Sequence, residues 1–127
     1  MFRRRGEYVK AEEYLQKALT ITKEIGDKQG EASRYVNLGR VFQSLHDYVK
    51  AQECHQKALL IRKDSGDKKG VAASYEGLGT MFQSLDEYVK AEEYLYKALA
   101  IRKEIGDKEG EADCYERLGT LFQSRRE

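Results

Sequence analysis

The sequence predicts an all-α protein of about six helices, and three observations lead to that fold class. A segment of 40 residues recurs along the 127-residue chain, so that residues 6–45 and 86–125 are identical at 28 of 40 aligned positions. Each copy carries apolar residues at helical spacing in two separate stretches. The chain contains no proline, a residue that interrupts helices. Because helical patterns fill each copy, no strand is expected.

Each copy of the repeat is predicted to form two amphipathic helices. In the stretch that contains Ala91, Leu95 and Ala98, apolar residues three or four positions apart form one face of a helix. The stretch that contains Tyr75 and Leu78 shows the same spacing. The predicted helices span residues 7–25, 28–44, 47–65, 68–84, 87–105 and 108–124.

The whole chain, residues 1–127, is predicted to be a single array that begins and ends within a repeat. Its parts are the second helix of a preceding repeat (6–25), one full repeat (28–65), a second full repeat (68–105) and the first helix of a truncated repeat (108–124). The first and last predicted helices therefore have no partner helix within the sequence.

A Gly-Asp-Lys motif that recurs every 40 residues is predicted to separate consecutive helices. Gly26, Gly66 and Gly106 stand where a helix ends in the left-handed conformation, and the Asp that follows each can cap the next helix. The alternative is a phosphate-binding glycine loop, which an Asp at each helix N-terminus disfavours because it would repel an anion. Gly30 and its equivalents cost up to about 1 kcal/mol relative to Ala in a helix, and the sequence offers no reason for them.

Small residues in mid-helix are predicted to allow close packing between the two helices of a repeat. Gly39, Gly79 and Gly119 would be costly in a helix unless the partner helix came too close for a Cβ atom. The neighbouring Leu38 and Leu78, with Leu118, are expected to be buried between helices.

Composition and charge argue against several classes of function. Lys and Arg number 23 and Asp and Glu 22, so the net charge of +1 creates no overall field for nucleic acid or an anionic membrane. The short clusters Arg3–Arg5 and Arg125–Arg126 are interpreted as solubilising charges. No apolar run approaches the roughly 20 residues that span a bilayer. The N-terminus lacks a signal peptide's apolar stretch and two cysteines are too few for a disulfide framework, so a cytoplasmic location is expected.

No catalytic constellation is recognisable. Cys54, His55 and His46 are the candidates for a thiol nucleophile or a metal site, but adjacent helical residues point about 100° apart and no second Cys/His pair has ligand spacing. His55 stands where Leu95 stands in another copy, which favours a packed histidine. Cys54 and Cys114 lie a full repeat apart, too far for a disulfide. We therefore expect neither an enzyme nor a cofactor or metal.

The spacing of one motif resembles a known family. The motif reads Tyr35-x2-Leu38-Gly39-x2-Phe42, followed by Ala51 and Ala58. It is similar to the tetratricopeptide repeat (TPR), recurs 40 residues later and covers essentially the whole chain. Tyr replaces the first Trp, Phe replaces the later Tyr, no Pro follows the second helix, and the period is 40 residues rather than about 34. The longer period resembles the LGN/Pins cell-polarity adaptors and long tandem TPR arrays. The resemblance implies a right-handed α-solenoid of antiparallel helix pairs.

The resemblance also implies that the first helices of successive pairs line a concave groove for a peptide. Positions that differ between copies are candidates for reading its side chains, and a constant Gln in each copy could bind its backbone. The predicted groove residues are Ser33, Val36, Asn37, Arg40, Gln43, Ala73, Glu76, Thr80, Gln83, Asp113, Glu116, Arg117, Thr120 and Gln123. Their charges favour a ligand of acidic and then basic character. The alternative is that exposed positions drifted freely after duplication.

Three functions stay open at this point. The first is a protein–protein interaction module or scaffold that binds an extended or helical segment of a partner protein. The second is a self-assembling array, because the first and last helices expose the faces that a partner helix would cover, which favours a head-to-tail homo-oligomer. Those faces are predicted around Tyr8, Ala11, Leu15 and Ala18 at one end and around Leu118 and Phe122 at the other. The third is the sensor segment of a larger signalling protein.

Overall fold

The computed structural model describes the backbone of residues 2–125 and the side chains of residues 5–125. Arg3, Arg4 and Arg126 of the two predicted solubilising clusters have side chains outside the described residues. Six α-helices fill the described part of the chain, which contains no strand, and the all-α prediction is confirmed. The helices are α1 (Phe2–Glu24), α2 (Lys28–Ser44), α3 (Tyr48–Asp64), α4 (Lys68–Ser84), α5 (Tyr88–Glu104) and α6 (Lys108–Arg125). The predicted bounds of α2 and α4 are reproduced, whereas α1 begins five residues earlier than predicted.

The helices group into two compact units, Met1–Ser65 and Gly66–Glu127. In the first unit α2 packs against both α1 and α3, and in the second α5 packs against both α4 and α6. Each unit therefore contains one complete helix pair, α2 with α3 or α4 with α5, and one additional helix. The single-array organisation over residues 1–127 stays a prediction.

The Gly-Asp-Lys motif separates helices as predicted. Gly26, Gly66 and Gly106 have φ angles of 72°, 70° and 72°, in the left-handed region that glycine tolerates. The Asp that follows each glycine caps the next helix; for example, the Gly30 N–H donates to Asp27 Oδ1 over 2.9 Å. Capping therefore explains the first glycine and the Asp of the motif.

A further glycine stands two residues after each Gly-Asp-Lys motif, at Gly30 and its equivalents. The structure gives a reason for it that the sequence does not show. A Cβ atom at Gly30 would lie 2.8 Å from Cγ of the capping Asp27. At Gly110 it would lie 2.6 Å from Cδ of Arg102, which belongs to the preceding helix. These glycines leave room for the cap and for the side chain packed over it, which offsets their low helix propensity.

The turns within the helix pairs contain no glycine, and sequence analysis missed their conformation. His46 and Asp86 adopt left-handed φ angles of 62° and 61°, which His and Asp accept more readily than most residues. Each bonds to a tyrosine two residues later: His46 Nδ1 lies 3.1 Å from the Tyr48 hydroxyl, and the Tyr88 hydroxyl donates to Asp86 Oδ1 over 2.9 Å. Local side-chain bonds thus support these turns.

Small residues bring the paired helices together, as predicted for the two complete pairs. A Cβ atom at Gly39 would lie 2.8 Å from Nε2 of His55, and one at Gly79 would lie 3.0 Å from Cγ of Leu95. Leu38 and Leu78 are buried beside these glycines. The alanines of α3 and α5 that face them are also fully buried: Ala51, Ala58, Ala91 and Ala98.

The third glycine behaves differently. A Cβ atom at Gly119 would meet no described atom within 4 Å, so the close approach predicted there is wrong for the described chain. Leu118 is buried on α6, which packs against α5, so its predicted burial between helices is confirmed and its second expected place, on the exposed face of α6, is wrong. The exposed face of α6 instead contains Phe122, as predicted, together with Tyr115.

Candidate functional site

The fourteen predicted groove residues lie on α2, α4 and α6, and none of them is buried. Val36, Gln43, Glu76 and Gln83 are half-buried, and the others are exposed. Their accessibility fits a role in binding, although no contact in the structure tests that role. Peptide binding by these residues stays a prediction.

In the second unit, six of these residues come together around one groove of about 690 Å³. The predicted residues that line it are Thr80, Gln83, Asp113, Glu116, Arg117 and Thr120. Ser84, Asp86, Tyr88 and Ser124 also line the groove, and sequence analysis missed them. Ser84 and Ser124 are identical across copies, Asp86 lies in the turn between α4 and α5, and Tyr88, also identical across copies, begins α5, so a comparison of variable helix positions could not find them.

The groove of the second unit is acidic. Asp86, Asp113 and Glu116 contribute three negative charges and Arg117 one positive charge, which leaves a formal charge of −2. Arg117 Nη1 donates to Thr80 Oγ1 over 3.1 Å, and Arg117 Nε lies 3.9 Å from Glu76 Oε1. Among the described residues, no side-chain hydrogen bond or ion pair engages Asp113 or Glu116, and both are exposed. The cation is therefore partly neutralised while two carboxylates stay open to solvent.

Glu76 belongs to an ion network behind the groove. Arg102 Nε donates to Glu76 Oε2 and Arg102 Nη1 donates to Asp107 Oδ2, both over 2.9 Å. The side chains of Arg102 and Glu76 are 9% and 12% exposed, so the ion pair is largely shielded from water. Burial opposes the charge on Arg102, but the Glu76 hydrogen bond and the two carboxylates outweigh it and raise the pKa of the guanidinium. Glu76 thus positions a neighbouring helix as well as reaching Arg117.

Cys114 lies against the same network and is poorly suited to nucleophilic chemistry. Its thiol donates to Glu76 Oε2 over 3.6 Å. Burial, followed by the nearby Glu76 carboxylate, raises the pKa of Cys114 to about 11. Burial likewise raises the pKa of Cys54, and both thiols are free. Because the thiolate is the reactive form of cysteine, neither residue is activated.

In the first unit, a histidine and a glutamine meet in the contact between α2 and α3. His55 is buried, which confirms the packed histidine predicted from the sequence, and its Nε2 lies 2.7 Å from Gln43 Oε1. With Nε2 protonated, the imidazole donates this bond, so Gln43 supports the core as well as facing the surface. Burial, with the charges of Arg40 and Arg62, lowers the pKa of His55 to about 4.

The first unit also contains a smaller groove, and no predicted site residue lines it. Its volume is about 290 Å³. Its lining residues are Glu12, Gln16, Leu19, Lys23, Tyr35, Leu38, Phe42, Lys50, Glu53, Cys54 and Lys57. The predicted residues Ser33, Asn37 and Arg40 are instead exposed on α2.

Metal-ligand clusters and membrane-spanning helices were sought among the described residues. No group of three or more His, Cys, Asp and Glu side chains there is arranged to hold a metal ion. No described helix combines the length and the hydropathy that crossing a membrane requires.

Sequence comparison assigns the family. The model of the tetratricopeptide repeat matches residues 1–64 and 70–127. The chain belongs to the tetratricopeptide-repeat family. This TPR assignment confirms the resemblance seen in the Tyr, Leu, Gly and Phe positions. The narrower likeness to the LGN/Pins repeats and long tandem arrays stays an interpretation of the sequence. No curated protein matches this TPR chain at a significant level.

Two of the solved structures that are similar to the TPR chain have informative descriptions. BtubC (BKLC) from P. vanneervenii matches with a TM-score of 0.67 over 95% of this chain and 59% of its own, at 21% sequence identity. A signal transduction ATPase with numerous domains (STAND protein) with a tetratricopeptide repeat sensor, from Pyrococcus horikoshii, matches with a TM-score of 0.75 at 28% identity. The match covers 84% of this chain and 17% of the STAND protein. The likeness to BtubC shows the fold alone, and the chain spans only part of either protein.

Proposed function

We propose that this TPR chain is a protein–protein interaction module whose second unit binds a partner segment with basic side chains. TPR repeats are a non-enzymatic fold that mediates protein–protein interaction. The observation that supports the site is the acidic groove, where residues that vary between repeats surround two exposed, unengaged carboxylates. We propose no catalytic role and no cofactor for it.

The chemistry of the groove suits an extended or helical peptide. The Gln83 amide and the Thr120 hydroxyl can both donate and accept hydrogen bonds, as the backbone of an extended peptide requires. Asp113 and Glu116 would accept charge-assisted hydrogen bonds from Lys or Arg side chains. On α2 of the first unit, the exposed Arg40 would bind an acidic side chain.

A second candidate function is the sensor segment of a larger signalling protein. The similarity to the STAND protein, which is described as having a tetratricopeptide repeat sensor, favours it. A sensor could use the same groove, so this proposal concerns what the module is attached to. The two proposals therefore make the same prediction for the groove.

Peptide selection tests the proposed groove. We expect peptides selected from a random display library on the wild-type chain to be enriched in Lys and Arg. Asp113→Lys combined with Glu116→Lys should weaken their binding at least tenfold, because one hydrogen bond to a charged group contributes roughly 1.5 kcal/mol or more. Fluorescence anisotropy with the selected peptides measures this change.

The matched control has the same change of charge away from the groove. Glu93→Lys combined with Glu109→Lys alters two exposed carboxylates outside the groove lining, and Lys69 already occupies the position of Glu109 in the preceding repeat. This variant should bind the peptides within about twofold of wild type, since it leaves the groove intact. Equal loss in both variants, or no basic enrichment, would contradict the proposal.

A further inference from the structure

The two additional helices, α1 and α6, present apolar faces whose equivalents are covered in the complete pairs. On α6, Tyr115 is 49% exposed and Phe122 is 41% exposed, whereas the equivalent Tyr75 and Phe82 of α4 are 8% and 2% exposed. A Cβ atom at Gly119 would meet no described atom within 4 Å, unlike one at Gly79. The uncovered face of α6, defined by Ala112, Tyr115, Gly119 and Phe122, is named the α6 face below.

The corresponding face of α1 is also partly open. Tyr14 is 68% exposed, whereas the equivalent Tyr94 of α5 is half-buried. Ala11, Leu15 and Ala18 are half-buried, whereas their equivalents on α5 are fully or almost fully buried. The face defined by Ala11, Tyr14, Leu15 and Ala18 is named the α1 face below.

The α4–α5 pair shows how such faces fit together. Tyr94 of α5 stacks on Phe82 with ring centroids 5.6 Å apart and parallel planes, and it also contacts Tyr75 at 5.9 Å. Leu95 lies over Gly79. Lys90 lies 5.3 Å from the centre of the Phe82 ring. The contact thus combines aromatic stacking, a leucine over a glycine and a cation over an aromatic ring.

Every residue type in that contact recurs on the two open faces. Positions 40 residues beyond Tyr75, Gly79 and Phe82 are Tyr115, Gly119 and Phe122 on α6. Positions 80 residues before Lys90, Tyr94 and Leu95 are Lys10, Tyr14 and Leu15 on α1. The α6 face and the α1 face therefore carry the two halves of an interface that the chain already forms internally.

From this identity we infer that the α6 face of one chain binds the α1 face of a second copy. Leu15 of one copy lies over Gly119 of the other, and Tyr14 stacks on Phe122 and Tyr115. The two surfaces differ from each other, so the contact is head to tail, and each single contact leaves an α1 face on one chain and an α6 face on the other for further association. Apolar and aromatic contacts dominate this interface. Because salt screens interactions between charges, a higher salt concentration should dissociate the interface only slightly.

Sedimentation velocity between 10 μM and 1 mM tests the docking. The weight-average mass of the wild-type chain is expected to rise with concentration, at both 0.1 M and 0.5 M salt. A chain that stays monomeric at 1 mM, or an association that 0.5 M salt abolishes, would overturn the inference.

Gly119→Leu blocks the α6 face without disturbing the chain itself. The new side chain enters open space in the isolated chain and raises helix propensity, but it occupies the place that Leu15 of the second copy needs. The variant is expected to stay monomeric at 1 mM with the circular dichroism of wild type. Gly77→Leu is the matched control, because Gly77 also has open space around it and lies outside the α6 face; it should associate like wild type.

Mixing two blocked variants tests the head-to-tail direction. Leu15→Glu blocks the α1 face, so this variant alone should be monomeric. Its free α6 face can still bind the free α1 face of Gly119→Leu, and an equimolar mixture should stop at a 1:1 dimer. Retained folding of each variant is checked by circular dichroism. Association of either variant alone, or two folded variants that fail to pair when mixed, would overturn the inference.

Discussion

The two complete helix pairs share one packing plan but fill its centre with different chemistry. In α4 with α5, Gly79 lies under the apolar Leu95, whereas in α2 with α3, Gly39 lies under the imidazole of His55. The imidazole needs a hydrogen-bond partner in the core, and Gln43 supplies it. A small residue on one helix therefore sets the distance between helices, and the side chain above it can be polar or apolar.

The pairs also differ in their charges. Glu76 forms an ion pair with Arg102 in the second unit, whereas Val36 occupies the position of Glu76 in the first unit. An ion pair at this position is therefore not required by the fold. Buried ion pairs contribute little net stability because desolvation offsets their attraction, but removal of one partner is costly.

The largest expected effect concerns the leucine that both pairs share. Leu78→Ala and Leu38→Ala should each lower the free energy of unfolding by about 2–5 kcal/mol, because each leaves a cavity in a fully packed contact. Leu118→Ala should cost less, because one face of α6 is uncovered at Tyr115 and Phe122 and Leu118 is buried less completely than the other two leucines. Urea unfolding followed by circular dichroism measures all three. A loss below about 1 kcal/mol for Leu78→Ala would show that the leucine is not a core residue.

The next largest effect is a pH dependence of the free energy of unfolding, which His55 gives to the α2–α3 pair. The pKa of folded His55 is about 4 and the unperturbed value is 6.5, so the unfolded chain binds more protons between these values. Stability contributed by neutral His55 is fully present above pH 6.5 and is lost as the pH falls towards 4, by roughly 3 kcal/mol in total. His55→Leu introduces the residue found at the equivalent position 95, and it should remove this loss of stability at low pH. Urea unfolding at pH 7, 5.5 and 4.5 measures the difference from wild type.

The second histidine provides the control for this pH dependence. His46 is exposed in a left-handed turn, and His46→Asn suits that conformation because Asn tolerates it. This variant should keep the wild-type pH dependence. If the pH dependence of His55→Leu equalled that of wild type, His55 would not be the group responsible.

The smallest effect concerns the ion pair of the second unit. Glu76→Gln should lower the free energy of unfolding by about 1–2 kcal/mol, because Arg102 loses one charged partner but keeps Asp107. The same substitution at the equivalent Glu116 should change stability by less than about 0.5 kcal/mol, since that side chain is exposed. Thermal unfolding of both variants checks the contrast. Equal changes in the free energy of unfolding at the two positions would mean that the Glu76–Arg102 ion pair contributes nothing to stability.

Much of the fold followed from local signals in the sequence. Gly26 and Asp27, with their equivalents, mark helix ends because left-handed glycines and capping carboxylates act within a few residues. Apolar residues at helical spacing located the buried faces of the helices. Six residues of the acidic groove could be predicted, five of them because their positions vary between the repeats and Gln83 because each copy carries a Gln there.

The remaining features depend on residues far apart in the chain. Arg102 reaches Glu76 from 26 positions away, and Gln43 meets His55 from 12 positions away, so neither pairing has a local signature. Asp86 and Tyr88 join the groove only because the turn at Asp86 brings them beside α4 and α6. The sequence by itself determined the helices and their apolar faces, through short-range periodicity and capping. Only the tertiary structure decided which polar groups meet, because that depends on how the helices pack.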